Sequence, residues 1–216
     1  MMNKKYEMFI KLLNFNVDKY SAEKVYKDFI SLFAISLSNK VSFNKENNDR
    51  YEEIYKSYKN EEKYIFYALS AELTKLFCNE KTPYDILGEI YQEITCKSYL
   101  KLVSNNNLQE VGRKLQGVVN INKKANNGKI IQANCGSGAM ILAYASTLNV
   151  FKLDYKLDLE VTAIDENIIN VFMTYIQLYF FEISAVVILV DQKSNRELMR
   201  LYTPTYEADV ENQMIA

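Results

Sequence analysis

Apolar positions recur at helical spacing through the first half of the chain. Tyr6, Phe9, Ile10, Leu12 and Leu13 mark one face, and Val25, Phe29, Leu32, Phe33, Ile35 and Leu37 mark a second with the same period. Ser21, followed by Glu23 and the apolar run, predicts an N-cap for the second of these helices. A charged stretch from Glu46 to Lys63 carries Tyr51, Ile54, Tyr55 and Tyr58 on one stripe, and Tyr64 to Phe77 continues as a strongly apolar helix. Pro83 stands where a further helix is expected to begin, because a first turn leaves the proline's missing N–H unmissed; Ile86, Leu87, Ile90 and Tyr91 follow as its apolar face. Residues 1–124 therefore read as an α-helical bundle of roughly five helices of the usual length.

The period changes after a polar boundary from Asn120 to Gly128. Lys129 to Asn134 predicts a short strand, Cys135-Gly136-Ser137-Gly138 a tight turn, and Ala139 to Leu148 a helix built partly from small residues. Leu157, Leu159, Val161 and Ala163 alternate with Asp158, Glu160 and Thr162, the period of a half-buried strand. Asn167 to Phe181 is apolar nearly all round, and Ala185 to Val190 is a buried strand ending at Asp191. Strand, glycine turn, helix, strand, helix, strand is half of a doubly wound α/β unit. At about thirty residues per βαβ unit, residues 125–216 hold only three or four strands before an acidic tail with Glu207, Asp209 and Glu211. The expected class is α/β, a helical bundle followed by a truncated Rossmann-like half-sheet.

Composition narrows the chemistry. The 216 residues include 26 Lys+Arg, 27 Asp+Glu, three Cys and no His. Without imidazole there is no Ser/His/Asp triad, Cys/His dyad or histidine metal site. A net charge of -1 speaks against a broad basic platform for nucleic acid. Lys4-Lys5, Lys97, Lys101, Arg113-Lys114 and Lys123-Lys124 leave a local basic patch open, and with it the question of nucleic-acid contact. Cys78, Cys96 and Cys135 form no CxxC pair, which fits reduced thiols rather than a disulfide framework or a zinc site. The opening MMNKKYEMFIKLLNF lacks the apolar core of a signal peptide, so the cytoplasm is the expected compartment. Asn170, Gln177 and Glu182 interrupt the apolar run from Ile168 to Val190, which therefore reads as a buried helix and strand, not a membrane span.

A glycine turn between a first strand and its helix lets backbone approach a ligand, although many such turns use glycine only for positive φ. Cys135 at this turn is either a helix-terminal thiolate or a small core residue. The wider context is more specific. QANCGSGAM from Gln132 to Met140, Ala163-Ile164-Asp165, MTYIQL from Met173 to Leu178, Ala185-Val186-Val187-Ile188 and Tyr202-Thr203-Pro204 resemble the short phage-type relatives of DNA adenine methyltransferases of the type I modification-subunit class. Phe29-Ile30-Ser31-Leu32 and Asp85-Ile86-Leu87-Gly88-Glu89 resemble the helical half of that family, so the resemblance covers most of the chain.

The resemblance implies an S-adenosylmethionine pocket formed by Cys135, Gly136, Gly138, Asp165 and Asp191, with Asp165 toward the ribose, Asn167 where a second acid often follows, and Asp191 toward the adenine; with the neighbouring anchor gone, strand-end solvation or helix capping is the preferred reading of Asp165 and Asp191. The departures imply loss of function. Gln132 and Ala133 replace the family's acid-proline pair before the Cys-Gly, and residues 102–106, LVSNN, stand where a Phe-Thr-Pro segment closes over the cofactor. The Asn/Asp-Pro-Pro-Tyr/Phe motif that grips a flipped base does not occur. The expectation is a non-catalytic, methyltransferase-derived protein with no cofactor, no catalytic residue and no metal. Its partner is expected to be a host defence protein or ribonucleoprotein, such as a restriction or CRISPR effector, with homo-oligomerisation open. The alternative is a divergent S-adenosylmethionine-dependent DNA adenine methyltransferase that needs a partner subunit. The first strand, lacking its usual neighbour, is expected at a sheet edge.

Overall fold

The computed structural model describes residues 4–16, 18–95, 128–150 and 153–206. Its first part holds helices α1 (Glu7–Leu13), α2 (Ala22–Val41), α3 (Lys45–Lys56), α4 (Tyr64–Cys78) and α5 (Ile86–Thr95). Ser21 caps α2 as expected, its Oγ accepting from Lys24 N at 3.2 Å. Asn44 caps α3 in the same way, accepting from Asn47 N at 3.0 Å. Between α3 and α4, Glu62 is buried and accepts from Lys19 Nζ at 2.7 Å, Tyr20 Oη at 3.1 Å and Lys59 N at 2.9 Å. The charged and apolar stretches are therefore two helices separated by a turn that is tied to the α1–α2 connection. Helix α5 begins at Ile86, later than Pro83 suggests, because the Asp85 side chain accepts from Gly88 N at 2.9 Å and so acts as the cap.

The second part continues with β1 (Gly128–Ala133), α6 (Ala139–Val150), the single-turn α7 (Tyr155–Asp158), β2 (Leu159–Asp165), α8 (Ile168–Phe180), β3 (Ser184–Val190) and β4 (Glu197–Tyr202). The strands form an open sheet in the order β1-β2-β3-β4, the first three parallel and β4 antiparallel to β3. The chain is thus mixed α/β, and among the described residues β1 is the last strand on its side of the sheet. Two details differ from the sequence pattern. Leu157 falls in α7 and is 73% exposed, because Asp154 accepts from Lys156 N at 3.0 Å and starts a helical turn that delays the strand to Leu159. Strand β4 buries only Leu201, and its apolar residues Leu198, Met199, Leu201 and Tyr202 do not alternate with polar ones, so it carries no strand period to read.

Helix α8 explains its own composition. It packs on α2 on one side and on β2 and β3 on the other, so almost no face is left for polar residues. Phe180 stacks between Phe33, with ring centroids 6.0 Å apart, and Phe77, with centroids 4.5 Å apart. Tyr26 Oη donates to Leu87 O at 2.8 Å and lies 3.3 Å from Met173 Sδ, so α2, α5 and α8 meet at one buried hydroxyl. One cluster of buried side chains runs from Tyr6 to Leu201 through both parts of the chain.

The expected boundary at residues 124–125, residues 102–106, the acidic tail from Glu207, Cys96, and the basic residues Lys97, Lys101, Arg113, Lys114, Lys123 and Lys124 all lie outside the described residues. Lys5 pairs with Glu80 at 2.5 Å. Among the described residues no helix is long and apolar enough to cross a membrane.

A shared core predicts shared unfolding. Phe77→Ala should lower stability by about 3–4 kcal/mol, measured by urea denaturation. The helical and tyrosine-fluorescence signals should still move in a single transition.

Candidate functional site

The candidate site is the turn that leaves the carboxyl end of β1. Cys135 N donates to Ile164 O at 3.1 Å, extending the β1–β2 ladder by one bond, and Gly138 N donates to Cys135 O at 2.9 Å to close the turn. Gly136 has φ +59° and Gly138 φ +89°, so the backbone conformation itself calls for glycine at both places. A Cβ on Gly138 would also lie 3.3 Å from Thr174, whereas one on Gly136 would meet nothing within 4 Å.

Asp165, at the end of β2, is 5% exposed. Its Oδ2 accepts from Gly136 N at 2.9 Å, and its Oδ1 accepts from Asn167 N at 2.8 Å and Asn170 Nδ2 at 3.1 Å. One carboxylate therefore clasps the glycine turn and the start of α8 together. Asn167 turns inward on its own backbone, its side chain accepting from Ile169 N at 2.9 Å as the cap of α8.

Thr174 Oγ1 donates to Gly136 O at 2.9 Å and lies 3.5 Å from Cys135 Sγ. Cys135 is buried, and burial pushes its thiol up to about 12. Of the two readings of this cysteine, the geometry matches the small core residue. Gln132 is half-buried on β1 beside Ala163, and Ala133 pairs in register with Ile164.

The other side of the turn is held from the helical part. Asp85 Oδ2 accepts from Ser137 Oγ at 2.8 Å, and Oδ1 accepts from Gln177 Nε2 at 2.9 Å as well as from Gly88 N. Gln177 Nε2 also donates to Ser137 O at 2.7 Å, and its Oε1 accepts from Leu87 N at 3.2 Å. Burial drives the Asp85 carboxyl above the ordinary carboxylate range, against the pull of the donors around it. The approach is close: a Cβ on Gly88 would lie 2.2 Å from Asp85 Oδ2 and 2.5 Å from Ser137 Oγ.

Asp191 does not join this arrangement. It closes the β3–β4 turn, accepting from Ser194 Oγ at 2.7 Å, Ser194 N at 2.8 Å and Lys193 N at 3.2 Å, and these donors hold its carboxyl below the usual range. The structure thus brings Cys135, Gly136, Gly138 and Asp165 together and leaves Asp191 to a neighbouring turn. Sequence reasoning assigned no site role to Asp85, Ser137, Thr174 or Gln177. The available signal was Asn170, Thr174 and Gln177, three polar residues at helical spacing on a largely apolar helix. Among the described residues no group of three or more His, Cys, Asp or Glu is placed to hold a metal ion.

Asp85→Ala strands three donors and should cost about 3 kcal/mol, while Asp85→Asn, which keeps the acceptor for Gly88 N and Gln177, should match or exceed wild-type stability at neutral pH. Because the folded pKa is raised, the stabilisation from the protonated carboxyl is complete below the unfolded value and is lost as pH rises through the folded one. Urea titrations across the acidic range should therefore show wild type losing ground to Asp85→Asn as pH climbs above 3.8, the ordinary value. Gly88→Ala should destabilise by about 2–3 kcal/mol through overlap with Asp85 and Ser137, read as a lower Tm.

Comparison of the chain with family models, curated proteins and solved structures finds no match.

Proposed function

We propose that the chain is a non-catalytic interaction protein built on a methyltransferase-derived scaffold, its α/β part a truncated Rossmann-like half-sheet, and that it binds no S-adenosylmethionine. The carrying observation is Asp165. In the resembled family this acid holds the cofactor's ribose; here Gly136 N, Asn167 N and Asn170 Nδ2 take three of the carboxylate's roughly four acceptor sites, which leaves too few for both ribose hydroxyls. Gln132 and Ala133 supply no replacement for the missing acid-proline pair. Each charged hydrogen bond lost is worth about 1.5–3 kcal/mol, or one to two powers of ten in affinity at about 1.4 kcal/mol per decade. Two such losses take a micromolar site out of the useful range.

On this reading the partner is a nucleic-acid-targeting defence assembly of the host cell, which the protein binds and blocks. The support is the family resemblance together with the absence of the base-gripping motif from the sequence. A second reading has one observation in its favour: the open space at Gly136 leaves room for a ligand at the turn. It makes the chain a divergent DNA adenine methyltransferase completed by a partner subunit.

Titration calorimetry with S-adenosylmethionine separates the two. The interaction protein is expected to give no heat of binding in the micromolar range and no methyl incorporation into DNA. Micromolar binding together with methyl incorporation into DNA that disappears in Gly136→Ala or Asp165→Ala would establish the enzyme reading instead.

A further inference from the structure

The connection between α3 and α4 gathers tyrosines at the surface. Tyr55, near the end of α3, and Tyr67, in the first turns of α4, bring their phenol oxygens to 3.3 Å across that connection, so that one hydroxyl donates to the other. Tyr51 stacks on Tyr55 with ring centroids 5.6 Å apart, and Lys63 Nζ lies 4.4 Å from the Tyr55 centroid, which holds the Tyr55 ring in place. Tyr67 is 70% exposed and Tyr55 half-buried, so a reagent in solution reaches both.

Other tyrosine pairs differ. Tyr20 with Tyr58, Tyr26 with Tyr91, and Tyr175 with Tyr179 are ring contacts in which at least one partner is buried. Tyr202 and Tyr206 are both half-buried and stack ring on ring, with centroids 5.6 Å apart; they are the competing pair.

We infer that Tyr55 and Tyr67 form a site of oxidative crosslinking, in which a one-electron oxidant joins the two rings by a carbon–carbon bond between their ortho positions. The hydrogen bond to Tyr67 pushes the Tyr55 phenol up to about 12, so at neutral pH it keeps its proton, and oxidation removes that proton together with the electron. Each tyrosine gives one hydrogen atom to the oxidant and becomes a neutral phenoxyl radical, its unpaired electron shared between the oxygen and the ortho carbons. An ortho carbon is two bonds from its oxygen, so where the oxygens meet, rotation about side-chain bonds brings one ortho carbon of each ring together. The two radicals pair into one carbon–carbon bond, and the hydrogen on each bonded ortho carbon moves to the oxygen of the same ring, which restores both phenols. The radicals carry no charge, so Lys63 does not oppose the step. With a haem peroxidase as oxidant, one hydrogen peroxide takes up the two electrons and two protons and leaves as two waters. The product staples α3 to α4 across a separation of 12 residues, and closing that loop in the unfolded chain stabilises the folded one.

The test treats the full chain, dilute enough to keep chains apart, with a haem peroxidase and hydrogen peroxide. The expected product is a monomer with the blue emission of dityrosine. Its tryptic digest joins peptide 51–56 to peptide 64–75 with the loss of one hydrogen from each, and fragmentation places the bond on Tyr55 and Tyr67. Tyr55→Phe and Tyr67→Phe each abolish that crosslink, Tyr64→Phe leaves it in place, and the crosslinked protein melts at a higher Tm than the untreated one. A bond placed instead on Tyr51, on Tyr64 or between Tyr202 and Tyr206 overturns the inference. So do chains joined only to one another, the absence of any crosslink, or a bond between the same two peptides that survives Tyr67→Phe. Mapping the bond needs no variant, so it decides the matter even where a substitution disturbs the fold.

Discussion

A single buried carboxylate holds the two parts of this protein in register. Asp85 caps the helix it precedes, accepts the Ser137 hydroxyl of the glycine turn and accepts the Gln177 amide of α8, all inside the core. A charge in such a place is tolerated only when donors surround it, and each of those donors comes from a different segment of the chain. The helical part, the turn and the crossover helix are consequently fixed by one group. Gly88 is the steric counterpart of that arrangement, since only a residue without a side chain lets α5 come this near.

The apolar packing follows the same line. Helix α8 lies between α2 and the sheet, and the Phe33, Phe180 and Phe77 rings stack across the junction of helices and sheet. The four described strands have little area with which to build a core of their own, and the helices supply further surface.

At the glycine turn, the polar groups are engaged in holding the fold. The positive φ values of Gly136 and Gly138 bring backbone amides to the end of the sheet, where a ligand's polar groups would meet them, and Asp165 occupies the Gly136 amide from within. Cys135 is buried and protonated, and Asp191 belongs to a different turn. The strand-turn-helix is one whose polar groups bond to one another.

The chain's own pattern determined the local elements. Helical spacing in the first part, the Ser21 cap, the two parallel strands with their apolar crossover helix and the glycine turn were legible because each depends on residues within a few positions of one another. Two boundaries turned on local caps that the apolar pattern does not show: the Asp85 cap moved to Ile86 the helix start that Pro83 marked, and the Asp154 turn cut short the alternation that Leu157 continued. Tertiary structure decided the rest. The role of Asp85 was beyond reach, because a carboxylate's role is set by its donors and Asp85 takes two of them from positions 52 and 92 residues away; Asp165, whose strand-end position already suggested a capping role, takes one donor from 29 residues away as well. Periodicity reports which side of an element faces the core; only the folded chain brings together the partners that decide whether a polar group there binds a ligand or binds the protein to itself.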